Sequence, residues 1–173
     1  MRKIVLSAAV SLDGFIAGPN GEIDWILMDP EIDFMAMFSR FDTLLMGRRS
    51  YEAAQAMGGG ESMPGVKSII VSNTMKPEDH PDLEIIGGNL KDAVSKLRAE
   101  EGKDIWLFGG GELFRSMLDI GEVDNVEVAI IPVLLGNGIP LLPKHPTRTT
   151  LRLVNSKVYK TTGILFLEYS CDR

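Results

Sequence analysis

The residues able to do chemistry in this sequence sit where apolar runs meet glycine or charge. In DIWLFGGGELFRSML, residues 104–118, a strand-like run enters Gly109, Gly110 and Gly111 and leaves through Glu112 and Leu113 as a helix. Glycines let a backbone approach a ligand closely, and the first N–H groups of a helix lack partners within it, so this turn suits a phosphate or diphosphate. It is not the GxGxxG dinucleotide fingerprint, whose third glycine falls on Phe114, and no Walker lysine and hydroxyl follow. TLLMGRRSYE, residues 43–52, repeats the order at Gly47 and adds Arg48, Arg49 and Ser50. Two guanidinium groups and a hydroxyl beside a helix start fit a phosphate monoester. Ser72, Asn73 and Thr74 end a third apolar run and offer another polar edge.

Acid or base work falls to the carboxylates near the amino terminus, Asp13, Asp24, Glu31 and Asp33. Asp13 is the catalytic candidate, because it follows the first strand, precedes a glycine and shares its loop with Trp25, whose flat indole could stack on a heterocycle. His80 in PEDHPD and His145 in PKHPT stand among prolines and polar residues, which predicts exposed loops and gives no support to a Ser/His/Asp arrangement.

These residues need a scaffold that gathers them. Short Ile- and Val-rich runs alternate with helical patterns and Gly/Pro punctuation, which predicts one α/β domain over residues 1–173. Strands are expected at 4–10, 43–46, 67–71, 83–86 and 104–108, and helices at 30–40, 50–57, 90–100 and 112–118. The second helix should stop at Gly58-Gly59-Gly60, and the stretch SLDGFIAGPNGEIDW should be an irregular loop with a turn at Pro19-Asn20-Gly21. From residue 125 the helices cease, so runs 125–132, 151–159 and 163–170 should add antiparallel strands. In an open α/β sheet the strand ends converge on one crevice, and three polar ends in one crevice suit a ligand as long as a dinucleotide.

Composition narrows the partners. With 18 basic and 24 acidic residues the net charge is −6, which gives no bulk attraction to nucleic acid or an anionic membrane. Hydrophobic residues at 45% predict a folded core, and no apolar run is long enough to span a bilayer. The single cysteine, Cys171, and two histidines cannot complete a structural zinc site, and a lone thiol fits a reducing cytoplasmic setting. The late apolar strands with IIPVLLGNGIPLL offer more hydrophobic edge than one domain needs, which predicts a homodimer.

MGRRSYE, VKSIIVSN and IWLFGGGELF, in this order, resemble the three cofactor-binding segments of dihydrofolate reductases. AAVSLDGFIAGPNGEIDW and PVLLGNGIPLL are more similar to the reductase domain of the riboflavin-biosynthesis deaminase-reductase and its single-domain relatives, and the resemblance covers nearly the whole chain. It implies a dihydrofolate reductase-like three-layer fold, a mixed and mostly parallel central sheet flanked by helices, with NADPH across the strand ends. Gly47, Arg48, Arg49 and Ser50 would hold the adenosine-side phosphates, Ser72 and Asn73 the adenine-ribose edge, Gly109 to Leu113 the diphosphate, and Ala8 and Ala9 the nicotinamide. Asp13 would lie near the reacting carbon, with Trp25 and Glu31 as substrate contacts. The implied activity is NADPH-dependent reduction of 5-amino-6-(5-phosphoribosylamino)uracil or a related carbonyl or imine, the alternatives being a dihydrofolate reductase or a non-catalytic NADPH-binding module. The HxE and PCxxC zinc set of the paired deaminase does not occur in this sequence.

Overall fold

The computed structural model describes residues 1–58, 65–144 and 146–172. Its strands are β1 (Ile4–Ser11), β2 (Phe15–Ala17), β3 (Phe41–Gly47), β4 (Lys67–Val71), β5 (Glu84–Ile86), β6 (Asp104–Gly109), β7 (Asn125–Ile131), β8 (Ile139–Pro140), β9 (Leu151–Tyr159) and β10 (Ile164–Cys171). The helices are α1 (Phe34–Ser39), α2 (Arg48–Ala56), α3 (Leu90–Ala99) and α4 (Gly111–Asp119). Eight strands form one sheet in the order β5-β4-β3-β6-β1-β7-β10-β9. Pairing is parallel from β5 across to β7, then antiparallel between β7 and β10 and between β10 and β9. The fold is therefore the mixed, mostly parallel arrangement expected, with its antiparallel strands at the carboxy-terminal end.

Alternation along the strands builds the two covered faces. Ile4, Leu6 and Val10 of β1, with Ile105 and Leu107 of β6, pack against Val94 and Leu97 of α3 and Leu113, Phe114 and Met117 of α4. On the other face Leu44, Met46 and Ile70 pack with Tyr51 of α2 and Trp106. Continuous apolar strands like these belong to a sheet buried on both sides.

Charged side chains fasten the starts of the central strands. Arg2, only 6% exposed, pairs with Asp42 and donates to Lys103 O at 2.6 Å and Thr43 Oγ1 at 2.5 Å, joining the leads into β1, β3 and β6. Arg98 reaches Glu122 at 3.1 Å and Asp124 at 3.0 Å, and Asp124 accepts from the Ile4 N–H at 2.8 Å. Removing one partner of such a buried pair strands the other charge, which is the costly case.

Several boundaries differ from expectation. The first helix begins at Phe34 rather than residue 30, because buried Asp29 accepts the Glu31 N–H at 2.9 Å and the Thr162 hydroxyl at 2.7 Å and turns the chain there. Asp33 then caps the helix through the Ala36 N–H. The second begins at Arg48, two residues early, with Gly47 as its cap, and it closes at Met57, with Gly58 at a φ of +77°. Gly59 and Gly60 lie outside the described residues. The loop after β1 holds the expected turn, with Gly21 donating to Gly18 O at 3.1 Å, but it also contains β2, paired with β8. Among the described residues no helix is long and apolar enough to cross a membrane.

Leu107 is fully buried at the centre of the core. Leu107→Ala should lower unfolding free energy by about 2–5 kcal/mol in a urea titration, as expected for a buried leucine whose cavity cannot collapse.

Candidate functional site

The site begins at two turns that touch. A Cβ placed on Gly47 would lie 3.8 Å from Gly109 O and 3.8 Å from Leu113 Cβ, so the exits of neighbouring β3 and β6 sit side by side. Gly109 has a φ of +108°, a conformation that glycine adopts without strain, and the Gly109–Gly110 peptide is cis. The third glycine has a packing reason: a Cβ on Gly111 would fall 2.7 Å from Pro143 Cδ and 2.9 Å from the carbonyls of Pro140 and Leu141.

Helices α2 and α4 both start at this junction, from Gly47 and Gly110, and neither start carries a side-chain cap. The Phe114 N–H returns to Gly110 O at 3.0 Å, which leaves the N–H groups of residues 111–113 without intrahelical partners. By contrast Asn89 caps α3 with its own side chain, accepting from the Asp92 N–H. Two open helix starts side by side form a positive pole for anions in an acidic protein. Arg48 pairs with Glu52 at 2.8 Å on the surface, and exposed Arg49 has no ion-pair partner among the described residues. Ser50 Oγ would touch a Cβ on Gly110 at 3.2 Å.

Both turns open into a cleft of about 1660 Å³ at the carboxyl ends of the strands. That exceeds a typical small-ligand pocket of about 300–1,000 Å³ and has room for a dinucleotide with a second molecule. Ala8, Ala9, Gly47, Arg48, Arg49, Ser50, Asn73 and Gly109 to Leu113 all line it, so most of the anticipated cofactor residues are brought together. Asn73 Oδ1 accepts the Gly88 N–H at 2.8 Å. Ser72 is outside the lining: its hydroxyl accepts the N–H groups of Thr74 and Met75 and shapes the turn.

Backbone groups complete the cleft. β1 pairs with β6 from Ile4 to Leu6 but with β7 as far as Ser11, so its β6-facing edge loses its partner strand halfway. Lys3 O takes the Ile105 N–H and Ser7 O takes the Trp106 indole N–H at 3.0 Å. In a parallel strand alternate residues bond to the same neighbour, so the N–H and C=O of Ala9 come next on that edge. They suit a planar amide.

The acids expected to act lie elsewhere. Asp13 accepts from the Ser11 hydroxyl at 2.7 Å and from the N–H groups of Gly136 at 2.7 Å and Leu135 at 3.1 Å, and it is not among the cleft residues. The Ser11 hydroxyl, and behind it the two loop amides, hold its carboxyl below the usual carboxylate range against slight desolvation. Asp13 thus braces the loop after β1 against the 135–136 loop. Trp25 donates its indole N–H to Glu22 O at 3.0 Å, Glu31 faces Lys157 at 3.6 Å, and Asp33 caps α1; none of these three lines the cleft, nor does exposed Asp24. His80 is half-buried after a short 3-10 turn and also lies outside the cleft, and His145 is outside the described residues.

An aromatic wall takes the place expected of Trp25. Phe38 stacks on Trp106 with centroids 4.9 Å apart, and Trp106 meets Phe108 edge-on at 5.4 Å. The β3–β6 register skips at Phe108, between Leu45 and Met46, and such an irregularity re-aims a side chain. Phe108 is 41% exposed, within the cleft lining. Trp106 and Phe108, two apart in a strand and alternating with buried Ile105 and Leu107, were the available signal for this wall.

A family model, the RibD C-terminal domain, matches residues 2–165. The chain belongs to that family. The uncharacterized protein YyaP of Bacillus subtilis (strain 168) is 35% identical over 97% of this chain and 94% of its own length. A structure described as a riboflavin biosynthesis protein from Shewanella sp. PV-4 superposes with a TM-score of 0.84 at 24% identity, covering 99% of both chains. Dihydrofolate reductase from Enterococcus faecalis, solved with NADP(H), superposes at 0.65 and 16% identity over 99% of this chain and 97% of that one. The RibD C-terminal chain thus has a dihydrofolate reductase-like fold, and its family and fold are those of oxidoreductases.

The brace is testable. A carboxyl whose folded pKa is depressed adds stability above its unfolded pKa and loses it as pH falls through the folded value. Asp13→Ala should therefore lower the thermal midpoint at neutral pH, and the gap to wild type should close on acidification below the usual carboxylate range.

Proposed function

We propose that this RibD C-terminal chain is an NADPH-dependent reductase acting on a carbonyl or imine carbon of a planar pyrimidine- or pterin-like substrate. The observation that carries the reading is the cleft itself: two helix starts without side-chain caps, meeting at a glycine turn, beside a central strand edge that has lost its partner. The residues present fit NADPH. The amides of residues 111–113 suit the diphosphate, and Arg48, Arg49 and Ser50 suit the 2′-phosphate that distinguishes NADPH from NADH. Asn73 offers the adenine-ribose edge, with Ser72 holding its turn, and the Ala8–Ala9 backbone suits the nicotinamide amide. When bound, NADPH supplies the hydride.

The protein's own part is orientation, with the aromatic wall as a face on which the substrate ring can stack. Among the described residues no carboxylate lines the half of the cleft made by β1, β6 and α1, so the proton for the product comes from water entering at the open mouth. That absence counts against a dihydrofolate reductase, which would need an acid beneath its pterin. Two further proposals concern the chain as a whole. Edge strand β9 leaves Leu153, Val154 and Val158 more than half exposed, which suits a homodimer face. The lone thiol of Cys171 suits a reducing cytoplasm.

Calorimetric titration with NADPH and NADH tests the cofactor. Replacing both Arg48 and Arg49 by alanine should weaken NADPH at least about tenfold, given roughly 1.5–3 kcal/mol for a charge-assisted hydrogen bond, and leave NADH nearly unchanged. Equal losses would refute the phosphate assignment. NADPH consumption on adding the phosphoribosylamino-uracil or dihydrofolate separates the two enzymes, and tight binding with no turnover over a broad panel would favour the non-catalytic module.

A further inference from the structure

The half of the cleft beyond the strand-edge gap is made by β1, β6, α1 and the segment leading into α1. Ile16, Ile26, Met28, Phe38, Trp106 and Phe108 form its wall. All four ionisable residues of the cleft lining, Arg48, Arg49, Glu112 and Asp119, stand instead on α2 and α4, in the half with the anion-binding helix starts. The two halves thus differ in kind: one is polar, with charged side chains and two open helix starts, the other aromatic and aliphatic.

Charge around the apolar half points the same way. From residue 4 to residue 39 the sequence has no lysine, arginine or histidine, while it carries six carboxylates: Asp13, Glu22, Asp24, Asp29, Glu31 and Asp33. Strand β6 adds only Asp104. The cations near α1 are committed, Lys103 donating to Ser39 O at 2.7 Å. Arg40 forks onto Glu127, with one bond at 2.8 Å, and lies over the Phe41 ring, while Lys157 sits over Tyr159 at 4.3 Å and faces Glu31. Among the described residues, an anion entering this half finds no cation in its lining. A cation finds no carboxylate inside either, since Asp29 is buried against Thr162 and Glu22 is engaged with Asn20. Burying an unpaired charge against such a wall is costly, whereas covering Met28 and Phe108, now 68% and 41% exposed, is favourable.

We infer that this site selects an uncharged planar ring compound, bearing the reducible carbonyl or imine but no phosphate or carboxylate, and that the apolar wall together with the cation-free 4–39 segment sets this selectivity. The inference rests on the reductase reading and narrows its substrate class. It sets this chain apart from an enzyme built to hold a phosphoribosyl chain, because nothing in this half replaces the basic residues such a chain requires.

Quinoxaline, an uncharged bicycle with imine carbons, and its ring-carboxylated counterpart are a matched pair of probes. Each is titrated by calorimetry into the full-length protein saturated with NADPH, and into the protein alone. Quinoxaline should bind at least about tenfold more tightly than the carboxylate. Phe108→Arg, at a partly exposed position, should abolish or reverse that ratio, and NADPH binding by the variant reports that it is folded. Equal affinities, a tighter carboxylate, or a ratio unmoved by Phe108→Arg would overturn the inference. So would failure of both probes to bind while NADPH binds. Loss of NADPH binding with the quinoxaline preference intact would instead sink the reductase reading and leave the selectivity of the pocket standing.

Discussion

The structure depends on one parting of strands. β1 and β6 are neighbours for three residue pairs and then separate, because β6 turns off through Gly109 while β1 continues along β7. A buried strand edge without a partner strand would ordinarily be a liability, since its N–H and C=O groups must find hydrogen bonds somewhere. Here the Trp106 indole satisfies Ser7 O, and the rest of the edge opens on the cleft. The same turn that ends the pairing starts α4 without a side-chain cap, so one local event exposes both a strand edge and a helix pole.

Other features keep that opening in place. Arg2 and Arg98 fasten the far ends of the central strands, where pairing is complete. Asp13 ties the loop after β1 to the 135–136 loop, and Gly111 lets the 140–143 segment pack directly on the start of α4. The first contact lies outside the cleft lining, and the second forms part of it. A carboxylate with three donors is a poor proton source and a good tether, because each hydrogen bond that fixes it also stabilises its charged form.

Much of this was legible in the linear order of residues. The glycine turns, the Arg48-Arg49 pair and the change from helices to bare strands after residue 125 are local patterns with local causes, and they reappear where periodicity puts them. The partners of Asp13, Trp25 and Glu31 were not legible, because an exposed loop carboxylate or indole has several possible partners, and only the packed loops determine which it meets. Phe108 reads as one more apolar strand residue until its skipped register turns it into the cleft.

The sequence by itself determined the α/β class, the glycine turns and the resemblance to riboflavin-pathway and dihydrofolate reductases, since backbone propensity and short motifs act over a few residues. Tertiary structure alone decided that the turns share a cleft with the free edge of β1, that Asp13 ties two loops together, and that an aromatic wall lines the cleft. Those outcomes depend on contacts between segments up to 123 residues apart, such as Asp13 with Gly136, and distant encounters of that kind follow from how the layers pack.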